Sequence, residues 1–233
     1  MACGQMSNAA LLATNGFESP AFTAGPLVGQ DGWGASAAFN VIDNAGNAQS
    51  GSQYVETAGS AGSIGADRSF TESTANEIIM SGWFYVAAGS QWIDVQLKDG
   101  DSTPAGATFA AIGFQNIENG FSNDIVYRDS IALTGAYIAL DKYVPDTWFQ
   151  LEVIASNLND AYDVYLNGGL IGDSLPPRDA GANSIGRITI NAEPSAVGFR
   201  IDDLSVSVVP EPNSFILLGL GLVGLLRIRR RNA

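Results

Sequence analysis

Whatever chemistry this chain performs, it performs without histidine and with a single cysteine, Cys3. That excludes a Ser-His-Asp triad, a Cys-His pair, a histidine-ligated zinc and an internal disulfide. Carboxylates and aromatic rings remain. Asp202 and Asp203 interrupt the last strand-like run: Phe199 and Ile201 share one parity, whereas Leu204, Val206 and Val208 share the other. Either a β-bulge absorbs one residue there, or a carboxylate points inward and requires a hard cation such as Ca²⁺. Lys98-Asp99-Gly100-Asp101 is also acidic, but it lacks the further ligands and terminal glutamate of a calcium loop and reads as a solvated hairpin. For carbohydrate recognition, which uses exposed aromatic faces beside polar groups, the candidates are Trp33, Trp92 and Tyr165, with core packing as the competing role for each. Trp83 lies in the apolar run 78–86 and is expected in the core.

The elements that must position these residues are strands. From 15 to 208 the chain alternates in short apolar and polar runs punctuated by Gly, Asn, Asp and Ser, with no sustained helical period. Phe149, Leu151 and Val153 share one face and Gln150 and Glu152 the other; Tyr162, Val164 and Leu166 alternate likewise before Asn167-Gly168, a favoured type I′ hairpin turn. Further strands are expected at 52–58, 77–87, 91–98, 107–114, 124–128, 136–140, 185–191 and 197–208. That many strands joined by glycine-rich loops imply two packed antiparallel sheets. The formal net charge of −13, with four of the 11 basic residues in the terminal cluster, leaves the body still more acidic. Such a surface repels nucleic acid and suits a soluble extracellular protein or one that binds cations.

The opening Asn15-Gly16-Phe17-Glu18-Ser19-Pro20 with Gly29-Gln30-Asp31-Gly32-Trp33, and the later 162–168 and 199–206, resemble concanavalin A-like lectin/glucanase jelly rolls and laminin-G-type domains. The resemblance implies an all-β fold, a jelly-roll β-sandwich over 15–208. The first and last of these stretches also resemble the ends of carbohydrate-binding modules with another jelly-roll topology. In those modules the glutamate of the opening Phe-Glu and an aspartate of the closing strand help to hold a structural calcium. Glu18, with Asp202 or Asp203, occupies the matching positions. Glycoside hydrolases on the concanavalin-like fold carry a Glu-x-Asp-x-x-Glu run, which sets two carboxylates about 5 Å apart for retention. That run is missing; the nearest strand, Trp92 to Lys98, offers Asp94 and then Gln96 and Lys98. No catalytic residue is assigned. With that run missing, the preferred reading is a protein that binds or organises polysaccharide or exopolysaccharide without catalysis. The alternatives are a polysaccharide-cleaving hydrolase or lyase whose carboxylates converge from elsewhere, and a purely structural matrix protein.

The tail, 209–233, runs Val209-Pro210-Glu211-Pro212, then the apolar segment 215–226, then Arg227-Ile228-Arg229-Arg230-Arg231. A helix needs about 20 apolar residues to cross a bilayer core, so this single transmembrane helix is short unless flanking residues join it and the arginines snorkel. Gly219, Gly221 and Gly224 fit a G-x-G-x-x-G pattern, but no acidic residue follows and too little chain remains for a βαβ unit. The three parts in this order resemble the PEP-CTERM sorting signal of Gram-negative bacteria. The resemblance implies an exosortase that recognises Val209, Pro210, Glu211 and Pro212. It also implies a precursor held in the inner membrane by 215–226 and oriented by Arg227, Arg229, Arg230 and Arg231. The destination it implies is the cell surface or an extracellular biofilm matrix. The segment 1–14 lacks the basic n-region of a signal peptide and reads as the remnant of a truncated signal region, or as the start of a copy that is not exported.

Overall fold

The computed structural model describes residues 9–59, 62, 64–89, 92–100, 107–115, 120–129, 136–193 and 196–209. In chain order its strands are β1 (Ala9–Ala13), β2 (Gly25–Pro26), β3 (Gly34–Ala35), β4 (Phe39–Asp43), β5 (Gln53–Ala58), β6 (Ile64–Ser73), β7 (Glu77–Tyr85) and β8 (Trp92–Lys98). They continue with β9 (Thr108–Gln115), β10 (Asp124–Asp129), β11 (Ala136–Lys142), β12 (Trp148–Ser156), β13 (Ala161–Leu166), β14 (Gly169–Leu175), β15 (Ile185–Ala192) and β16 (Val197–Val208). The fold is all-β: two antiparallel sheets, one nine-stranded in the order β14-β13-β12-β7-β16-β5-β4-β2 with β1 beside β16, the other seven-stranded in the order β11-β10-β9-β8-β15-β6-β3.

Period-two patterning decides which face of each strand is buried. In β7, Ile78, Met80 and Phe84 are buried while Ile79, Ser81, Trp83 and Tyr85 face outward and are only partly covered. In β12, Phe149, Leu151, Val153 and Ala155 face the core. The sheets meet through aromatic rings: Phe114 of the seven-stranded sheet lies 5.6 Å from Phe84 and 5.4 Å from Phe149 of the other, at tilted or edge-on angles. Such pairs add about 1 kcal/mol each beyond the area they bury. The β13–β14 turn is built as expected, with φ of 49° at Asn167 and 80° at Gly168, the left-handed pair of a type I′ turn.

Three differences from the sequence reading matter. The sandwich begins earlier than residue 15: β1 pairs with β16, Leu12 is buried, and Thr14 N–H donates to Leu204 O, so 9–14 belong to the domain rather than to a leader remnant. β2, β3, β4, β6 and β14 are additional strands. β6 shows little alternation because beyond Ala66 most of its side chains are open to solvent, leaving only Ile64 and Ala66 as buried apolar anchors. Trp83 faces outward, not into the core. The domain runs to Val209, whose N–H donates to Glu77 O. Pro210, Glu211, Pro212, the apolar run 215–226 and the terminal arginines lie outside the described residues. Among the described residues no helix is long and apolar enough to cross a membrane.

Candidate functional site

The parity slip at Asp202-Asp203 is resolved by a bulge. Asp202 pairs with Trp83 and Ser205 with Ser81, so β16 carries one residue more than β7 between these points. Asp203 takes the left-handed conformation, φ 47°. The extra residue lets Ile201 and Leu204 both face the core, and Asp202 stays on the outward side with Arg200. It is nonetheless fully buried, because the loop before β5 folds over it: Gln49 and Ser50 N–H donate to Asp202 Oδ2 at 3.0 and 3.1 Å, and Asp203 N–H to Oδ1 at 2.8 Å. Burial, opposed by the Ser50 N–H and reinforced by the neighbouring Asp203 charge, pushes the Asp202 carboxyl up to about 6.

Glu18 braces the same loop. Its Oε1 accepts Ser52 and Gln53 N–H at 2.6 and 2.7 Å, and its Oε2 accepts the Ser52 hydroxyl at 3.1 Å. Burial alone would raise the Glu18 carboxyl, but these three donors bring it below its ordinary value. Two glycines make the close approach possible. A Cβ on Gly51, at φ 59°, would lie 2.3 Å from Glu18 Oε1; one on Gly16, at φ 71°, would lie 3.2 Å from Asp203 Oδ1 and 3.3 Å from Asp202 Oδ1.

Lone pairs decide how well this group suits a hard cation. A carboxylate offers about four. Glu18 commits three to Ser52 and Gln53, and Asp202 three to backbone donors. Asp202 Oδ1 and Asp203 Oδ1 converge on the space beside Gly16 with capacity to spare. Among the described residues no three acidic side chains stand close enough together to hold a metal by themselves. Of the three carboxylates only Asp202 and Asp203 turn free oxygens toward one space, so a hard cation there would need backbone carbonyls and water for most of its six to eight oxygens.

The three aromatic candidates go to three different places. Trp33 is 2% exposed and packs 6.2 Å from Phe17 inside the core, so it cannot stack on a ligand. Tyr165 faces outward on the nine-stranded sheet, opposite Glu152. Trp92 lies on the outward face of the seven-stranded sheet, on the far side of the sandwich from Tyr165. One site containing all three is geometrically excluded.

Around Trp92 the structure assembles polar residues that spacing could not reveal. β8 sends Ile93, Val95 and Leu97 into the core and Trp92, Asp94, Gln96 and Lys98 outward. Asn191 of β15 is opposite Asp94, and Gln115 of β9 is opposite Trp92. Asn191 Nδ2 and Gln96 Nε2 each donate to Asp94 at 2.8 Å, one to each carboxylate oxygen. Burial raises the Asp94 carboxyl above its ordinary value despite the Asn191 and Gln96 hydrogen bonds. Although they point outward, Asp94, Gln96 and Gln115 are buried. Trp92 Nε1 and both amide atoms of Gln115 have no hydrogen-bond partner there. A shallow depression lined by Asn40, Ile42, Glu56, Thr57, Ala58 and Val197 lies elsewhere, along β4 and β5, and gathers no comparable set of polar groups.

Comparison with known proteins bears on both halves of the chain. Residues 208–231 match the PEP-CTERM protein-sorting motif. No curated protein matches the sequence. Solved structures similar to the body include a sialidase (TM-score 0.55, 13% identity), the T. cruzi calreticulin globular domain (0.54, 10%) and the potassium-bound Emp46p carbohydrate recognition domain (0.54, 10%). They cover 76%, 81% and 77% of this chain, and 17%, 88% and 90% of their own. The chain thus spans about a sixth of the sialidase. At these identities the likeness is one of fold, and it supports the jelly-roll expectation.

Proposed function

We propose that this is an exported protein of a Gram-negative bacterium whose PEP-CTERM tail holds the precursor in the inner membrane until an exosortase processes it. At the cell surface or in the extracellular matrix, the outward face of the seven-stranded sheet then binds polysaccharide without cleaving it. The observation that carries the binding reading is the row Trp92, Gln115, Asp94, Gln96 and Asn191. It combines an aromatic ring with amide and carboxylate groups, and three of its buried polar atoms lack partners. A buried unpartnered polar atom costs about 1–3 kcal/mol, which a hydroxyl-rich ligand offsets by supplying donors and acceptors. The lectin-type fold and the carbohydrate recognition domain among its structural neighbours support the same reading. Against cleavage stands the company of Asp94: its hydrogen-bond partners are amides, whereas glycoside hydrolysis uses two carboxylates flanking the scissile bond.

Calcium held by Asp202 and Asp203, with Glu18 bracing the loop above them, belongs to the same proposal as a structural ion. It would offset the repulsion between the two aspartates and fix the end of β16 against the loop before β5.

A glycan array probed with the full chain tests the binding reading. Retention without product supports it; release of reducing ends favours the hydrolase or lyase; silence across the array favours a structural matrix role. Following the chain's size and location in cells with and without exosortase tests the sorting reading, which fails if deletion leaves processing unchanged.

A further inference from the structure

We infer that the nine-stranded sheet carries a second polysaccharide site, centred on Trp83 and Tyr165, so that one molecule ties together two uncharged polysaccharide chains, one on each side of the sandwich. This rests on the reading that the chain binds polysaccharide through the face of Trp92, and adds how the polymer is organised. The nine-stranded face is closed on its β5 side, where the Arg200 guanidinium lies over the Tyr54 and Tyr85 rings and Trp148 packs edge-on against both. Across β7, β12 and β13 the surroundings change. Trp83 is opposite Gln150, and Glu152, two residues further along β12, is opposite Tyr165 on one side and Ser81 on the other. These five side chains point outward and are half-buried. Among the described residues Trp83 and Tyr165 touch no other ring, and Trp83, Tyr165 and Glu152 make no side-chain hydrogen bond or ion pair. The Gln150 amide donates to the Ser81 hydroxyl at 3.3 Å.

Strand geometry sets the spacing of the two rings. Two strand intervals of about 4.8 Å and an offset of two residues, about 6.8 Å, put Trp83 and Tyr165 about 12 Å apart. That is about the span of a disaccharide repeat, so two rings of one extended polymer can each rest an apolar C–H face on an aromatic ring. Between them Gln150 and Glu152 offer an amide and a carboxylate to the sugar hydroxyls. A carboxylate with no counter-charge repels an anionic polymer, which is why the ligand is assigned as uncharged. The two sheets of a sandwich lie about 10 Å apart and these side chains stand on their outer sides, so one straight stretch of polymer cannot occupy both faces. What Trp92 and Trp83 hold are therefore separate chains or distant parts of one chain.

The test uses the full chain with long xylan, mixed-linkage glucan and dextran, and polygalacturonate as the charged control. Retention on the immobilised polymer reads binding, and clouding of the soluble polymer reads bridging. The natural chain is expected to do both with an uncharged polymer. Trp83→Ala and Tyr165→Ala should abolish clouding and weaken retention about tenfold, because one point of a two-point attachment is lost, and Trp92→Ala should do the same. The Trp83→Ala/Trp92→Ala double variant should not be retained. Should Trp83→Ala fold poorly, Tyr165→Ala must show the loss by itself. Clouding that survives in both variants, retention abolished by Trp92→Ala alone, or retention of the natural chain without clouding overturns the second site. Leu170, opposite Tyr165, is 51% exposed, so sedimentation of the polymer-free chain is measured as well. A dimer that Trp83→Ala or Tyr165→Ala dissociates overturns the inference and gives the patch to a second copy. Stronger clouding of polygalacturonate overturns the choice of an uncharged ligand; no retention by any polymer overturns the binding reading itself.

Discussion

The two outward faces of the sandwich solve the same problem differently. On the nine-stranded sheet the Arg200 guanidinium stacks over Tyr85 at 4.5 Å and Tyr54 at 5.3 Å and meets Glu56 at 3.2 Å. Trp148 packs edge-on against both tyrosines and donates its Nε1–H to Asn47 O, and the Tyr85 hydroxyl donates to Asp146. Charge, ring and hydrogen-bond donor all find partners within the chain. On the seven-stranded sheet the row beside Trp92 leaves Trp92 Nε1 and the Gln115 amide unanswered. A face that completes itself contributes stability; the unanswered groups of the other are what the proposed ligand would satisfy.

The largest expected contrast comes from Arg200→Ala, which should lower the unfolding free energy by about 3 kcal/mol in a denaturant titration while leaving glycan retention intact, because it removes two ring contacts and strands Glu56. Lost retention with undiminished stability would reverse the roles given to the two faces.

Asp202 is the exception on the closed face and gives an effect of similar size. Its folded carboxyl titrates near 6 against an unfolded value near 3.8, so between those values the folded state holds more protons. In chelator, stability should therefore fall as pH rises through that window, by about 3 kcal/mol in total, and added calcium should restore it at neutral pH. A profile that stays flat or rises between pH 4 and 6 would remove the argument for a strained carboxylate. On the open face, Trp92→Ala should weaken polysaccharide retention about tenfold with only a minor change in unfolding midpoint, measured on one preparation. The smallest effect is also the sharpest. Replacing Gln115 by leucine should raise stability by about 1 kcal/mol, since it removes an unanswered buried amide, and at the same time weaken binding. Loss of both properties would mean that Gln115 is merely structural.

How far these sites were legible in the sequence differs residue by residue. The bulge at Asp202-Asp203 could be read because a change of parity in one strand is a local signal, and so could the Asn167-Gly168 turn. That the loop before β5 would close over Asp202 could not be read, since its donors Gln49 and Ser50 lie 153 and 152 positions away. For Trp33 the sequence leaves ligand stacking and core packing both open, and Phe17 with the surrounding core decides for packing. Alternation in β8 separated Asp94 and Gln96 from Ile93, Val95 and Leu97, but it carried no information about which strands flank β8. Gln115 and Asn191 joined the row only when β9 and β15 were paired with it.

Local chemistry therefore settled the all-β class, the two-residue turn, the phase slip and the tripartite tail, because each depends on side-chain types within a few positions. Strand order decided the rest. It divided Trp33, Trp92 and Tyr165 among the core and opposite faces, set Lys98 against Arg187, and left one sheet with its polar groups open. Those outcomes depend on contacts between residues distant in the chain, which alternation along one strand does not encode.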